Sequence, residues 1–511
     1  MDNRLRSGIT AATAAILVTG CGGGGGASGG GGDPGDPANS LAPRTVFEPQ
    51  DSDHLLMRTQ FGVSSEARAV IDSMGLAAFV DDMLSPPVDE DRPFETAARA
   101  RLQNLSDPVG LEGMFPSGND VSEWWLEMMV NTDTPFQERF AMFLHDHFAV
   151  SFDGLNSSER HWMVDHIQKL RREGFGNFRD LVLEMARDSA MLEWLDGHSN
   201  VNGEPNENFA REFFELFTVG ADRGYTEIDV QEASRAFTGY RNRLDAETNL
   251  RYSEFDPDRK DIFAKVLFDD VILRSNGETV DDFALVVDVT FEHLRVDEWL
   301  AEKLLLEFVS DAPSAALIAN FAAVIRAEDY EMRPILRRLF LSEAFYQSRK
   351  SMVRMPVDYA VGLIRTTGLG MSPGRLRGEL SGMSQVPADP PSVFGWPQGP
   401  EWLSAEGLVG RANFARQMIV ERTFQRDNGM AIVLPSETAT AEEVIDHFAS
   451  LLDVSLTADE RTDLIDYMDS DARNDGSVVE DPFDASDDGD INERVRGLIY
   501  ILANHVDAVA R

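Results

Sequence analysis

Apolar residues recur every three or four positions through most of the chain beyond residue 52, which is the spacing of amphipathic helices. A single stretch departs from this period, because residues 251–270 alternate polar and apolar side chains. The sequence therefore predicts a mainly α protein, a multi-helical globular body with one small β-hairpin insertion at about 248–272. The predicted helices are 120–131, 135–148, 158–171, 178–195, 206–218, 226–240, two within 281–309, 314–326, 332–345, 356–367, 404–425, 441–452, 458–468 and 492–509.

The first 51 residues follow a different pattern. Arg4 and Arg6 precede a short apolar stretch that ends in small residues before Cys21, which is typical of a bacterial lipoprotein signal. We expect a signal peptide over 1–20 and a diacylglycerol anchor on the thiol of Cys21. Residues 21–51 are rich in Gly and Pro and predict a flexible tether. An ordinary secretory signal that contains a chance cysteine stays open as the alternative.

This leader implies an extracytoplasmic protein, held by its lipid at the periplasmic or cell-surface side of the envelope. Gly22 does not resemble an inner-membrane retention signal, which favours the outer membrane. No other segment reaches about 18 uninterrupted apolar residues, so we expect no transmembrane helix.

The composition of the chain excludes several kinds of binding partner and metal site. The 511 residues carry a formal net charge of −42, and such a surface repels phosphate backbones, so we expect no nucleic-acid partner. A single cysteine excludes intrachain disulfides and multi-cysteine zinc or iron–sulfur sites. The sequence also lacks a Gly-Lys-Ser/Thr phosphate loop, a Gly-x-Ser-x-Gly elbow and a His-Glu-x-x-His motif. These absences disfavour nucleotide hydrolysis, α/β-hydrolase chemistry and zincin proteolysis.

A polar row lies along the predicted helix 206–218. At about 100° per residue, Asn208, Arg211, Glu212 and Glu215 fall on one stripe opposite a phenylalanine-rich side. If the row lines a cleft, Glu212 is a candidate general acid/base, and Arg211 a candidate clamp for an anionic substrate, with Asn208 beside them. The same pattern is typical of a solvated surface helix whose charges pair with one another.

The helix 135–148 ends in two histidines, His145 and His147. Residues two apart diverge by about 200° on a helix, so His147 is expected among phenylalanines and His145 beside Glu138 in a solvated pair. If the helix instead ends near Leu144, both imidazoles could converge on one divalent metal ion.

The segment 390–402 contains four prolines and two tryptophans and predicts a rigid aromatic loop. Trp396 and Trp402 are candidate contacts for a binding partner. Alternatively, the two tryptophans pin a long loop onto the body.

Taken in chain order, several of these segments resemble a bacterial family catalogued only as domain of unknown function 1800. The resemblance covers most of residues 52–425, which we expect to be the helical family domain, and it adds Arg58 to the candidate binding residues. It leaves 426–511 as a helical extension with an acidic loop at 469–490. The matching motifs are His54-Leu55-Leu56-x-Arg58-Thr59-x-Phe61-Gly62, Gln137-Glu138-Arg139-Phe140-Ala141, His145-x-His147-Phe148, Asn206-Glu207-Asn208-Phe209-Ala210-Arg211-Glu212, Glu215-Leu216-Phe217-Thr218, Tyr225-Thr226-Glu227-x-Asp229-Val230, Phe237-Thr238-Gly239, and Pro390-Pro391 to Gly395-Trp396.

The resemblance implies an exported, mostly helical protein without an established activity. Genes of this family often lie beside those of a second family, number 1501, which is similar to sulfatases and alkaline phosphatases. One departure from the family pattern is Phe255, which stands where a histidine usually precedes the aspartate of the hairpin. If that histidine is catalytic or a ligand elsewhere, this member is altered.

Two functions follow as hypotheses. The first is a helical binding or assembly protein that works with a sulfatase- or phosphatase-like partner. The second is an enzyme, in its metal form a metal-assisted hydrolase, with a polar pocket built from the helices 134–148 and 206–218. In the enzyme, Glu212 would act as acid/base and the His145–His147 pair would orient a water molecule or a metal ion.

Overall fold

A computed structural model describes residues 36–86, 117–247, 250–269, 271–273, 281–420, 432, 434–472 and 477–511. The predictions for the signal peptide, for Cys21 and for most of the tether lie outside these residues. Within them, the protein is mainly α with a few short antiparallel strands, which confirms the predicted fold class. No described helix is long and apolar enough to cross a membrane.

The helices are numbered here in chain order. The last of them, α21, joins a short α-helical start to an α-helical end through one π-helical turn. They are α1 Pro49–Thr59, α2 Ser65–Met74, α3 Leu76–Met83, α4 Gly118–Asn131, α5 Pro135–His147, α6 His161–Glu173, α7 Phe178–Ala186, α8 Ser189–Trp194, α9 Asn208–Glu212, α10 Glu227–Ala236, α11 Phe283–His293, α12 Val296–Phe308, α13 Ala315–Ala327, α14 Met332–Phe340, α15 Glu343–Gln347, α16 Pro356–Thr367, α17 Pro373–Ser381, α18 Ala405–Val420, α19 Ala441–Leu451, α20 Ala458–Met468, and α21 with Asp488–Asp490, Ile491–Val495 and Arg496–Ala503.

Six strands form three separate two-stranded antiparallel sheets. The strands are β1 Tyr240–Leu244, β2 Arg251–Phe255, β3 Lys265–Leu267, β4 Val271–Leu273, β5 Ser470–Ala472 and β6 Val478–Glu480. Short 3-10 turns lie at Pro37–Asn39, Phe152–Gly154, Gly197–Ser199, Pro257–Arg259, Gly399–Leu403 and Val506–Val509.

The region predicted as one β-hairpin contains strands of two separate antiparallel pairs. β1 pairs with β2 so that Tyr240 faces Phe255, and β3 pairs separately with β4. The segment Asp256-Pro257-Asp258 is not the turn of a hairpin, because Pro257–Arg259 is a 3-10 turn that follows β2. A third strand pair, β5 with β6, lies inside the predicted acidic loop 469–490.

Helix α5 lies at the centre of the core. Its Phe136, Phe140 and Phe143 contact Phe308 of α12 with ring centres 6.0, 6.4 and 6.0 Å apart. The face expected to be solvated is also buried: Trp125 Nε1 donates to Glu138 Oε2 at 3.1 Å, and Arg171 Nε donates to Glu138 Oε1 at 2.9 Å. The predicted solvated pair of Glu138 with His145 is therefore wrong. Neighbouring helices cover both sides of α5.

Candidate functional site

The predicted polar row lies where the helix changes type. Asn208–Glu212 is α-helical, and the chain continues as a π-helix over Phe213–Thr218. π-Helical turns are rare in proteins, and many of those that occur lie at functional sites. The last carbonyls of a helix lack partners within it, and here side chains from α12 and α5 supply them. Trp299 Nε1 donates to the carbonyl of Leu216 at 2.8 Å, and His147 Nε2 donates to the carbonyl of Phe217 at 3.0 Å.

His147 is thus a link between α5 and the π-helix. Because a carbonyl oxygen only accepts, the proton of the neutral imidazole is on Nε2. Burial lowers the pKa of His147 to about 3, and nearby Lys303 acts in the same direction. A neutral imidazole that completes a helix end has a structural role in this position.

Arg211 forms ion pairs with three carboxylates at the surface. It donates to both oxygens of Glu227, at 2.9 and 2.7 Å, and lies 3.4 Å from the carboxylates of Glu207 and of Glu215. The hydrogen bonds with Glu227 raise the pKa of Arg211, and Glu215 adds to this. An arginine whose charge is already neutralised by three carboxylates is a poor clamp for an anionic substrate.

Glu212 and Asn208 face different surroundings from Arg211. Oε2 of Glu212 is buried and has no hydrogen-bond partner among the described residues. Burial raises the pKa of Glu212, with a further contribution from Glu215, while Arg211 opposes it. Asn208 Nδ2 donates to Asp196 Oδ2 at 3.4 Å. The three predicted catalytic residues therefore lie on one helix, but within the described part of the chain their side chains have no hydrogen-bond partner in common.

His145 points away from the π-helix into an aromatic enclosure. Its ring lies 5.5 Å from Trp125, 5.4 Å from His166 and 5.7 Å from Trp396, measured between ring centres. Burial lowers the pKa of His145 well below its ordinary value, and His166 adds to this effect. Both ring nitrogens lack a hydrogen-bond partner among the described residues.

The two predicted metal ligands are not brought together. Helix α5 runs through to His147, so the condition for convergence, a helix end near Leu144, is not met. Across the part of the chain that the structure describes, no group of three or more His, Cys, Asp or Glu side chains is arranged to hold a metal ion.

The Pro/Trp loop is attached to α5 between these histidines. Asp146 Oδ1 accepts a hydrogen bond from the backbone N–H of Trp396 at 2.7 Å, and Asp146 Oδ2 accepts one from Gln398 Nε2 at 3.2 Å. Trp396 and Trp402, the predicted partner contacts, are both buried. This placement agrees with the alternative in which tryptophans pin the loop. The exposed aromatic ring of the loop is Phe394, at 72% exposure.

Asp146 and Lys303 were missed by the sequence analysis. Burial raises the pKa of Asp146 to about 6, against the opposing effects of the Trp396 N–H and Lys303. Burial lowers the pKa of Lys303, which Asp146 partly offsets. Lys303 Nζ lies 4.6 Å from the ring centre of Trp299. Only the adjacency of Asp146 to two histidines could have drawn attention to it; nothing in the sequence marks Lys303.

Arg58 lies in the interior, away from these groups. Its guanidinium donates to the carbonyl of Ser348 at 2.7 Å and contacts the sulfur of Met352. One turn earlier, His54 Nε2 donates to the carbonyl of Phe345 at 2.8 Å. These contacts fasten α1 to the segment after α14, and they leave Arg58 inaccessible to an external ligand.

A buried ionic network was also missed. Arg139 Nε lies 2.9 Å from Asp358 Oδ1, and the same guanidinium pairs with Glu307. Arg511 pairs with Asp358 and lies 3.6 Å from Glu307. Of these four residues, only Arg139 lies in a motif of the resemblance, and helical spacing does not reveal which carboxylates reach it.

Phe255 packs within its hairpin. Its ring centre lies 5.6 Å from that of Tyr240, and it fills the space over Gly239, which has φ of +121°. A Cβ on Gly239 would come within 2.5 Å of the Phe255 ring. The aromatic side chain thus has a packing role at this position.

The helices and the internally paired polar motifs define a mainly α protein with a buried polar interior. A family model described as "Protein of unknown function (DUF1800)" matches residues 54–503, so the chain belongs to this family. The resemblance read from the motifs is confirmed. The match continues beyond residue 425, where the sequence analysis had ended the family domain. No curated protein and no solved structure matched the chain.

Proposed function

We propose that this protein is a non-catalytic binding or assembly lipoprotein of the cell envelope, anchored through Cys21, that works with a sulfatase- or phosphatase-like partner. The observation that carries the proposal is that side chains of the family motifs are engaged in contacts within the chain. Arg58, His147 and Arg211 are occupied by contacts within the chain: backbone carbonyls, a helix end and three carboxylates. Residues engaged in this way maintain a shape and leave little polar chemistry free for substrate turnover.

The loop 390–402 is the partner surface that this proposal selects. Two hydrogen bonds from the loop to Asp146 and the burial of Trp396 hold the loop rigidly against α5. The ring of Phe394 is thereby presented to solvent at 72% exposure. A rigid, exposed aromatic ring loses little conformational entropy on binding, which is why such residues are frequent binding hot spots.

The experiment is a binding titration between the full chain and a purified protein of the sulfatase-like family, number 1501. Phe394→Ser should weaken the complex at least about tenfold, as expected for loss of a hot spot. Phe263→Ser is the matched control, because Phe263 is 65% exposed in a different part of the chain. Absence of a complex with the unmodified chain, or equal effects of both substitutions, would contradict the proposal.

The anchor is tested separately. Cells that express the full chain are labelled with a radioactive fatty acid, and the unmodified protein should carry label and sediment with membranes. Cys21→Ser should remove the label and release the protein. Label that persists in Cys21→Ser would refute the lipid assignment.

One observation favours the second candidate, an enzyme in the form of a hydrolase. Oε2 of Glu212 is buried without a partner among the described residues, and the pKa of Glu212 is raised by burial, as general acids require. In that case Glu212→Gln should abolish hydrolysis of the substrate while the melting temperature changes little. A large loss of stability in Glu212→Gln would instead assign the carboxyl group to the fold.

A further inference from the structure

Three nitrogen atoms of two histidines lie buried without hydrogen-bond partners. They are Nδ1 and Nε2 of His145 and Nε2 of His166, and both side chains have 0% exposure. Buried polar atoms in native proteins are nearly always satisfied, and an exception indicates a water molecule or an ion at that place. A water molecule or an ion between the two rings would satisfy these three atoms.

The orientation of the His166 ring is fixed by a hydrogen bond to Asp188. His166 Nδ1 donates to Asp188 Oδ1 at 2.9 Å, because a carboxylate only accepts. Nε2 is then the ring nitrogen that can offer a lone pair to an ion. A carboxylate that orients an imidazole in this way is the usual outer partner of a metal-binding histidine. Lys169 Nζ lies 3.0 Å from Asp188 Oδ2 and holds the carboxylate in place.

The distance between the two rings fits a shared ion. Imidazoles that bind one ion at about 2.0–2.1 Å place their ring centres roughly 5–6 Å apart. Here the ring centres are 5.4 Å apart. The rings of Trp125 and Trp396 lie 5.5 and 5.7 Å from the ring of His145, measured between ring centres, and enclose the site.

We propose that His145 and His166 form a two-histidine site for one transition-metal ion of the imidazole-preferring group, copper or zinc, inside the helical body. Imidazole nitrogen is a ligand for these ions, whereas calcium and magnesium prefer oxygen donors. The partner of His145 is His166 on α6. His147 is directed to the carbonyl of Phe217 on the opposite side. This inference does not depend on the proposed function, because a structural ion would serve an assembly protein and an enzyme equally.

The test measures metal content in the full chain, expressed in medium supplemented with copper or with zinc. The unmodified protein should retain about one equivalent of one of the two metals after extensive dialysis, as tight sites do. His145→Gln and His166→Gln should each reduce this below about one fifth of an equivalent. His147→Gln, whose amide can still donate to the carbonyl, and His293→Gln, on an exposed side chain, should retain it.

X-ray absorption of the loaded, unmodified protein gives a readout that does not depend on folding of a variant. Scattering from two imidazoles at about 2.0 Å is expected. No stoichiometric copper or zinc in the unmodified chain would overturn the proposal and assign the three nitrogens to buried water. Metal that persists in His166→Gln, or that is lost in His147→Gln or His293→Gln, would equally overturn it.

Discussion

Three consecutive residues near the end of α5 have three different environments. His145 lies among aromatic rings and His166, Asp146 receives two donors from the Pro/Trp loop, and His147 completes the π-helix. The helix turns each side chain toward a different neighbour. Residue type alone therefore does not determine the role of a polar side chain here; its direction does.

At the scale of single residues, the carboxyl group of Asp146 predicts how the free energy of unfolding depends on pH. Its pKa is raised from 3.8 to about 6, chiefly by burial, so the folded chain holds this proton more tightly than the unfolded chain. Stability from this group is complete below the unfolded value and is lost as pH rises through about 6. Between about pH 4 and pH 7, the unmodified protein should lose about 2 kcal/mol of unfolding free energy relative to Asp146→Asn.

Urea unfolding at several pH values measures this difference. Subtracting the variant removes the contributions of all other groups that titrate alike in both proteins. A difference that stays constant across the range, or that grows in the opposite direction, would show that burial does not govern Asp146.

At the scale of elements, one glycine permits the contact between the loop and α5. Gly395 has φ of +80°, and a Cβ built on it would lie 2.2 Å from Asp146 Oδ1. Only a glycine allows the backbone to approach the carboxylate in this conformation. The element that presents Phe394 therefore depends on a residue without a side chain.

Gly395→Ala should detach the loop, because both the conformation and the contact become unfavourable. We expect a loss of about 1–3 kcal/mol in unfolding free energy and faster proteolysis within the loop 390–402. Gly378→Ala is the matched control, since Gly378 lies in α17 and nothing lies within 4 Å of an added Cβ. That variant should be neutral or slightly more stable. Equal protease sensitivity in the two variants would contradict the assignment.

At the scale of the whole molecule, the buried ionic network joins distant parts of the chain. Arg139 on α5, Glu307 on α12, Asp358 on α16 and Arg511 meet in the interior. The segment after residue 425 belongs to the same structure: Tyr359 Oη donates to the carbonyl of Ala503 at 3.0 Å. The network and this contact link the C-terminal part to the helices before it.

Asp358→Asn should destabilise the protein strongly, because it leaves two buried arginines with insufficient negative charge. We expect a loss of about 3–5 kcal/mol in unfolding free energy, measured by urea denaturation. Glu227→Gln, which removes an exposed partner of Arg211, should cost less than about 1 kcal/mol. If the two substitutions cost the same, the buried network contributes no more than a surface pair.

Much of the fold could be predicted because helices follow from local periodicity. The predicted 356–367 and 458–468 agree with α16 and α20 at both ends. The predicted 178–195 is two helices, since Asp188 caps α8 by accepting from the N–H of Met191. The change to a π-helix within 206–218 was also missed. Its last carbonyls are satisfied by residues far away in sequence, which no local pattern encodes.

The sequence by itself determined the mainly α class, the family and the polar segments of interest, because spacing and motifs are local properties of the chain. Only the tertiary structure decided the partners of those segments. It placed the ring of His145 beside that of His166, paired Arg211 with Glu227 and buried Trp396 against α5. The physical reason is that the energy of a polar group depends on its burial and on its neighbours across the fold, and neither is written in the residues beside it.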